Sequence, residues 1–195
     1  MKVIGLTGGI ASGKSTASAY FRELGAVIVD ADAISRASTR RGGAAFEAVC
    51  AAFGDILGAD GEIDRRKLGG IVFADEDARR KLNSIVHPAV MAESRAQIEN
   101  ARASGVKMCI LDVPLLFETG MEKLCDETWL IYVPREEQIR RMAERDGLDA
   151  AAAAARIDSQ MPLEEKLKRA DVAIDSSGTI EQTREKLRRL WEERT

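Results

Sequence analysis

The sequence predicts a three-layer α/β/α protein with a parallel sheet of five strands. Residues 1–30 read as a strand, a glycine-rich loop, a helix and a second strand. Short apolar runs then alternate with segments of helical periodicity, which is typical of a parallel sheet. The five strands are predicted at Lys2–Thr7, Ala26–Val29, Val106–Val113, Glu127–Val133 and Asp171–Ile174.

A long segment without strand character separates the second strand from the third. We predict a mostly helical insertion over residues 31–105, broken by glycines that include Gly69-Gly70. Within it His87 precedes Pro88, so a helix is expected to end there. The remaining helices are predicted at Ser15–Leu24, at Arg135–Arg145, at Asp149–Arg156, where Asp149 caps a run of six alanines, and from Thr179 to the C-terminus.

Composition and charge exclude several classes of protein. With 195 residues, 45% of them hydrophobic and 31% charged, the chain suits one ordinary α/β core. A net charge of −3 gives no reason to expect a nucleic-acid partner. The longest apolar stretch, Met108–Phe117, is interrupted by Asp112 and Pro114, so no membrane span is expected. Because the N-terminus opens directly into a strand-like run, no signal peptide is expected. An odd number of widely spaced cysteines predicts free thiols and a cytoplasmic location; these are Cys50, Cys109 and Cys125.

The glycine-rich loop Gly8–Ser15 matches the phosphate-binding pattern G-x-x-x-x-G-K-[ST]. Its glycines permit backbone angles that turn successive N–H groups towards phosphate, and the following helix points its positive end at the same anion. Lys14 suits the β- and γ-phosphates of ATP, and the Ser15 hydroxyl suits Mg²⁺. The strand before the loop and the helix after it favour a phosphate-binding loop over a glycine-rich turn without a ligand. The predicted ATP contacts are Gly9, Ile10, Ala11, Ser12, Gly13, Lys14, Ser15 and Thr16.

Acids follow two of the predicted strands, at the edge where ligands bind in a parallel sheet. Asp112 ends the third strand and suits a second magnesium ligand, although buried strands also end in Asp for capping. Asp30 and Asp32 follow the second strand. We predict Asp32 as the carboxylate that accepts the proton of an alcohol acceptor, with Asp30 supporting it. The alternative is that one acid caps the next helix and the other pairs with an arginine.

Together these motifs resemble the dephospho-coenzyme A (dephospho-CoA) kinase family. The resemblance begins with the loop Gly5–Thr16 and the Asp-Ala-Asp run at residues 30–32. It continues in order over nearly the whole chain, through Asp64–Gly69, Asn83, His87-Pro88, Val113–Glu118, Arg145-Asp146, Arg156, Gln160, Ala170-Asp171, Ile174-Asp175 and Gly178. A phosphate loop alone indicates only a nucleoside triphosphate, whereas this series is much more specific.

The resemblance implies an ATP-dependent kinase that phosphorylates the 3′-hydroxyl of dephospho-CoA, the last step of coenzyme A synthesis, with Mg²⁺. It implies a P-loop nucleotide-binding core at residues 1–30 and 106–195, an acceptor-binding region at 31–105 and a small helical lid at about 140–165. The catalytic residues would be Asp32, Lys14 and the lid-side Arg145, which also contacts ATP. The acceptor contacts would be Thr7, Asp30, Asp32, Arg65, His87, Pro88 and Leu116.

The sequence indicates the roles of basic residues outside the phosphate loop less specifically. Any single cluster in the insertion suits a solvated helix face, and Arg65 is favoured for the acceptor because it lies in a family-like run. His87 is read as structural or acceptor-contacting rather than as a base, and one histidine lacks partners for zinc. Among the lid arginines, Arg140 or Arg141 is expected to be an ordinary surface residue.

Three other functions are less favoured. A pure binding module that has lost activity is disfavoured by the intact Lys14, Ser15, Asp32 and Asp112. Another small-molecule P-loop kinase would share the loop but not the Asp-Ala-Asp, His-Pro and Pro-Leu-Leu series. A switch that hydrolyses a nucleoside triphosphate is less favoured, because no guanine-reading Asn-Lys-x-Asp run is present. The expected partners are ATP and dephospho-CoA, with no nucleic acid and no membrane, and the chain is expected to be a monomer or small homo-oligomer.

Overall fold

The computed structural model describes residues 1–195 and contains one sheet of five parallel strands, as predicted. The strands lie in the order β2-β3-β1-β4-β5. They are β1 Lys2–Gly8, β2 Val27–Asp30, β3 Met108–Asp112, β4 Glu127–Tyr132 and β5 Val172–Asp175. Each boundary lies within two residues of its prediction, because short apolar runs bounded by glycine or charge mark buried strands well.

One face of the sheet is covered by the first and last helices. Alternate strand residues, including Ile4 and Ile110, are fully buried on this face. Phe21 of the first helix and Leu187 of the last helix belong to the same core cluster. The Phe21 ring lies 5.4 Å from the Trp129 ring in a tilted arrangement, so aromatic packing adds to simple burial. This packing makes β1 a rigid base for the loop that follows it.

Nine α-helices and one short 3₁₀ helix, Met121–Leu124, complete the fold. The α-helices, in chain order, are α1 Lys14–Glu23, α2 Ala31–Ser38, α3 Phe46–Phe53, α4 Arg65–Ala74, α5 Glu76–Ala103, α6 Arg135–Asp146, α7 Ala150–Asp158, α8 Leu163–Arg169 and α9 Ile180–Glu192. The short α8 was not predicted. The chain divides into one compact unit of residues 1–29 and 98–195 and another of residues 30–97. No helix combines the length and apolar character needed to cross a membrane.

Two predicted breaks in the insertion are wrong. Helix α4 continues through Gly69-Gly70, since Asp64 caps its start and Leu68 is buried. Helix α5 continues through Pro88, so His87 neither ends a helix nor lies in a loop. Its buried residues recur at every fourth position, at Val86, Val90 and Ser94. Burial of this stripe outweighs the roughly 3 kcal/mol that a proline costs inside a helix.

The predicted caps and thiols are confirmed. The Asp149 carboxylate accepts a hydrogen bond from the Ala152 N–H at 2.7 Å and starts α7. All three cysteines are free. Burial raises the pKa of the Cys109 thiol to about 11, so this residue serves as an inert part of the core.

Candidate functional site

The loop between β1 and α1 has the geometry of an anion site. Gly13 has a φ of 86° and Ala11 a φ of 58°, which is the one positive φ outside glycine. These angles turn consecutive N–H groups in one direction. Gly13 is also the N-cap of α1, and no side chain caps the helix there. The first-turn amides of α1 therefore have no intrahelical acceptor and, with the helix dipole, favour a bound phosphate.

Helix α6 holds this loop from outside. Gln138 is buried and donates through Nε2 to the Ile10 carbonyl at 2.8 Å. A Cβ at position 9 would lie 2.4 Å from that same Nε2, so any side chain there would push the Gln138 amide out of its hydrogen bond with the loop. Because Gln138 binds the Ile10 carbonyl, that carbonyl does not compete for the loop N–H groups, which remain available to a ligand.

Arg141, three residues further along α6, makes a second link to the loop. Its guanidinium donates to the Ala11 carbonyl at 3.3 Å and to the Ser176 carbonyl, just after β5, at 2.8 Å. Glu137 accepts from Arg141 at 2.7 Å, and hydrogen bonds from Arg140 and Arg141 lower the pKa of Glu137 to about 2. Glu137 therefore stays ionised and keeps the guanidinium in place.

Lys14 and Asp112 meet at the mouth of the loop. The Lys14 ammonium forms an ion pair and hydrogen bond with the Asp112 carboxylate. The two are close because Leu6 and Asp112 are paired in register across β1 and β3. Ser15 and Thr16 are exposed in the first turn of α1. The predicted phosphate-loop residues and Asp112 are thus brought together within one compact unit.

The donor set at this mouth fits magnesium better than a metal held by protein alone. No group of three or more His, Cys, Asp or Glu side chains is placed to hold an ion. A serine hydroxyl and one carboxylate, those of Ser15 and Asp112, are hard oxygen ligands. Mg²⁺ is usually held by one or two such ligands together with substrate phosphates and water.

A buried polar network lies behind the loop that follows β3. The Pro114 carbonyl accepts from Thr7 Oγ1 at 3.0 Å and from Lys166 Nζ at 3.2 Å. Lys166 is 1% exposed, and its ammonium pairs with Glu118 at 3.1 Å. Leu116 is fully buried in the same segment. Thr7 and Leu116, both predicted to contact the acceptor, are therefore interior residues in this structure.

Arg145 lies in the last turn of α6 and is exposed. Its guanidinium makes two hydrogen bonds to Asp146, at 2.8 and 2.9 Å. Arg156 of α7 approaches the same carboxylate at 4.0 Å. The two arginines therefore share one acid on the surface of the segment predicted as a lid.

The other predicted residues belong to the compact unit of residues 30–97. Asp30 caps α2 and accepts from the Ala33 N–H at 2.9 Å, which is the capping role considered as its alternative. Asp32 lies exposed in the first turn of α2. Arg65, at the start of α4, donates to Thr39 Oγ1 and to the Arg36 carbonyl, each at 3.4 Å. His87 and Pro88 lie on the exposed side of α5.

Sequence reasoning missed Gln138, Arg141 and Ser176. Gln138 and Arg141 are three residues apart, so they share a helix face. Nothing in the local sequence distinguishes Arg141 from Arg140. Ser176 gave a weak signal, since it follows a strand at the ligand-binding edge of the sheet, and its hydroxyl donates to the Ser12 carbonyl at 2.6 Å.

Three comparisons with known proteins bear on this fold and site. The sequence profile described as Dephospho-CoA kinase matches residues 2–182. A dephospho-CoA kinase of Carboxydothermus hydrogenoformans is 52% identical over 188 residues, which cover 96% of this chain and 91% of that protein. The solved dephospho-CoA kinase of Campylobacter jejuni has a TM-score of 0.67 at 29% identity, covering 100% and 97% of the two chains.

A more distant structure shares the fold alone. The shikimate kinase of Acinetobacter baumannii, solved with shikimate, has a TM-score of 0.54 at 16% identity, covering 98% of this chain and 92% of that one. A parallel sheet of this order, with a phosphate loop after β1 and an acid at the end of β3, is the architecture of a P-loop nucleotide-binding protein. Within that class, the chain belongs to the dephospho-CoA kinase family. The resemblance stated from the sequence is thereby confirmed.

Proposed function

We propose that this chain transfers the γ-phosphate of ATP to the 3′-hydroxyl of dephospho-CoA, the last step of coenzyme A biosynthesis. The observation that carries the proposal is the phosphate loop with its Lys14–Asp112 pair, in a chain that matches the family over residues 2–182. ATP is the co-substrate of such a kinase. The core formed by residues 1–30 and 106–195 would bind it, and residues 31–105 would bind the acceptor.

The phosphate loop binds and orients the triphosphate. Its amides and the α1 dipole stabilise the phosphate charge, and Lys14 contacts the β- and γ-phosphates as charge develops on their oxygens. Thr16, which lies in the first turn of α1, is proposed to contact the α-phosphate. Ser15 and Asp112 would hold Mg²⁺, which neutralises phosphate charge when bound.

Asp32 is proposed as the base that orients the 3′-hydroxyl and accepts its proton. Arg145 is proposed to neutralise charge on the transferred phosphoryl group when the lid, at about residues 140–165, closes. Arg65, His87 and Pro88 are proposed to contact the acceptor. Asp30 supports Asp32 by starting α2 beneath it.

Thr7 and Leu116 are proposed to act indirectly. Both are fully buried, so a direct contact with the acceptor would require the segment after β3 to move. Thr7 instead fixes the Pro114 carbonyl through its hydroxyl. We therefore propose that the two residues shape this segment for the acceptor. Cytoplasmic location and monomeric or small homo-oligomeric assembly stay predictions.

The first experiment measures ADP release with ATP and Mg²⁺ in the presence of dephospho-CoA, AMP, shikimate or no acceptor. We expect release only with dephospho-CoA and coenzyme A as the product. Asp32→Asn should lower kcat by about 10²- to 10⁴-fold, the usual contribution of a positioned base. The matched control, Asp77→Asn, alters an exposed acid paired with Arg80 on α5 and should leave kcat unchanged.

Other results would contradict the proposal in distinct ways. Equal release without acceptor would indicate a hydrolysing switch. Release with shikimate or AMP alone would keep the kinase class but exclude the proposed acceptor. An Asp32→Asn variant as active as wild type would leave the reaction standing and remove Asp32 as the base.

A further inference from the structure

A cleft of about 610 Å³ opens beside the phosphate loop. Its floor is Gly9, one wall is the end of β4 with the start of α6, and the other is the connection from α7 to α8. The volume lies within the roughly 300–1,000 Å³ of ordinary ligand sites. Because Gly9 belongs to the loop proposed to hold the triphosphate, a ligand here would lie next to the transferred group.

The cations of the cleft are already neutralised. Lys166 is buried, with its ammonium held by Glu118 and the Pro114 carbonyl. Arg135 makes two hydrogen bonds to Asp158, at 2.6 and 2.9 Å, which raise the pKa of the arginine and lower that of the acid. No positive charge in the lining remains to receive a phosphate.

The remaining charges in the lining are negative. Glu136 and Glu164 lie exposed in the first turns of α6 and α8. Two carboxylates without a free cation beside them repel a diphosphate and place no such penalty on a neutral ligand. The cleft is therefore unsuited to the nucleotide end of the acceptor.

The rest of the lining suits a neutral chain with amide groups. Ile157, Met161 and Leu163, each partly exposed, provide apolar surface. Gln160 is half-buried, and its side-chain amide makes no hydrogen bond within the chain, which leaves a donor and an acceptor for a ligand amide. Dephospho-CoA carries such a chain, the pantetheine arm, with two amides, one free hydroxyl and a terminal thiol.

We propose that this cleft binds the pantetheine arm of the acceptor and that Gln160 hydrogen-bonds one of its amides. The inference rests on the proposed function. It adds a subsite in the α7–α8 connection, outside residues 31–105, where the sequence placed acceptor binding. The arm would hold the acceptor beside the phosphate loop without bringing further negative charge into the cleft.

Steady-state kinetics with two fragments of the acceptor test the subsite. Pantetheine and AMP are each measured as competitive inhibitors against dephospho-CoA. Leu163→Trp should fill the cleft, raise KM for dephospho-CoA about tenfold, equivalent to about 1.4 kcal/mol, and weaken inhibition by pantetheine, because the indole would occupy the space of the arm. Inhibition by AMP and KM for ATP should not change. Leu167→Trp, an exposed leucine of α8 outside the lining, is the matched control and should behave as wild type.

Gln160→Leu provides a second, smaller change, and thermal unfolding of each variant establishes that it folds. The Gln160→Leu substitution should raise KM for dephospho-CoA about fivefold while kcat stays within twofold, since one hydrogen bond between amides is worth about 1 kcal/mol. Unchanged KM in both variants, or loss of AMP inhibition with pantetheine inhibition retained, would overturn the subsite alone. A wild-type chain that does not phosphorylate dephospho-CoA would instead overturn the proposed function.

Discussion

At the scale of single residues, the phosphate loop depends on side chains that lie far from it in sequence. Gln138, Arg141 and Ser176 each bind a loop carbonyl, at Ile10, Ala11 and Ser12. A loop rich in glycine has high conformational entropy when unbound. Anchors on its outer side therefore preorganise the amides for phosphate, and this preorganisation should appear in the affinity for ATP.

Arg141→Met is expected to raise KM for ATP by about tenfold or more, because charged hydrogen bonds contribute roughly 1.5–3 kcal/mol. The neighbouring Arg140→Met is the control, since that exposed arginine pairs only with Glu137 and Glu144 of its own helix. Initial rates at varied ATP measure both. Equal effects in the two variants would mean that Arg141 acts only through the stability of α6.

At the scale of elements, helix caps decide several boundaries. Helix α9 begins with a capping box, in which Thr179 Oγ1 accepts from the Gln182 N–H and the Gln182 side chain accepts from the Thr179 N–H. The helix then buries Leu187 in the core over the sheet. A weaker cap should therefore lower the stability of the core and leave the site geometry intact.

Thr179→Ala is expected to lower the free energy of unfolding by about 1 kcal/mol, the usual value of such a cap. Denaturant unfolding of Thr179→Ala, Gln182→Ala and the double variant measures it. Because the two side chains act as one box, the double variant should lose less than the sum of the single losses. Strict additivity would contradict the reciprocal cap.

At the scale of the whole molecule, the two ends of the chain meet at one side chain. Glu127 at the start of β4 accepts from Arg194 at 2.8 and 2.9 Å and pairs with Lys2 at 3.4 Å. The Arg194 guanidinium also lies 5.2 Å from the centre of the Trp129 ring. Hydrogen bonding from Arg194 lowers the pKa of Glu127 from 4.5 to about 2. The stability that this cluster contributes therefore depends on pH.

The contribution of Glu127 to stability should be fully present above about pH 4.5 and lost as pH falls towards about 2, because the unfolded chain takes up the proton first. Its size is up to about 3 kcal/mol, given about 1.4 kcal/mol for each pKa unit. Free energies of unfolding from pH 7 to pH 2 measure it. Arg194→Met should reduce the part of the pH dependence of the unfolding free energy that is due to Glu127. An unchanged pH dependence would contradict the role given to the Glu127–Arg194 pair.

Features that depend on contiguous residues could be predicted from the sequence. The phosphate loop, its flanking strand and helix, the five strands and the family all follow from local patterns, since backbone preference and burial period act over a few residues. The acid that ends β3 is equally local, whereas its position beside the loop depends on the pairing of β1 with β3.

Features that depend on packing between distant residues could not be predicted in this way. Helix α5 continues through Pro88 because a buried stripe outweighs a local preference. Gln138 reaches Ile10 across 128 residues, and Lys166 reaches Pro114 across 52. No local pattern distinguishes Arg141 from Arg140 or a buried lysine from an exposed one. The direction in which a side chain points is set by the packing of its whole element, and that packing is settled only when the chain has folded.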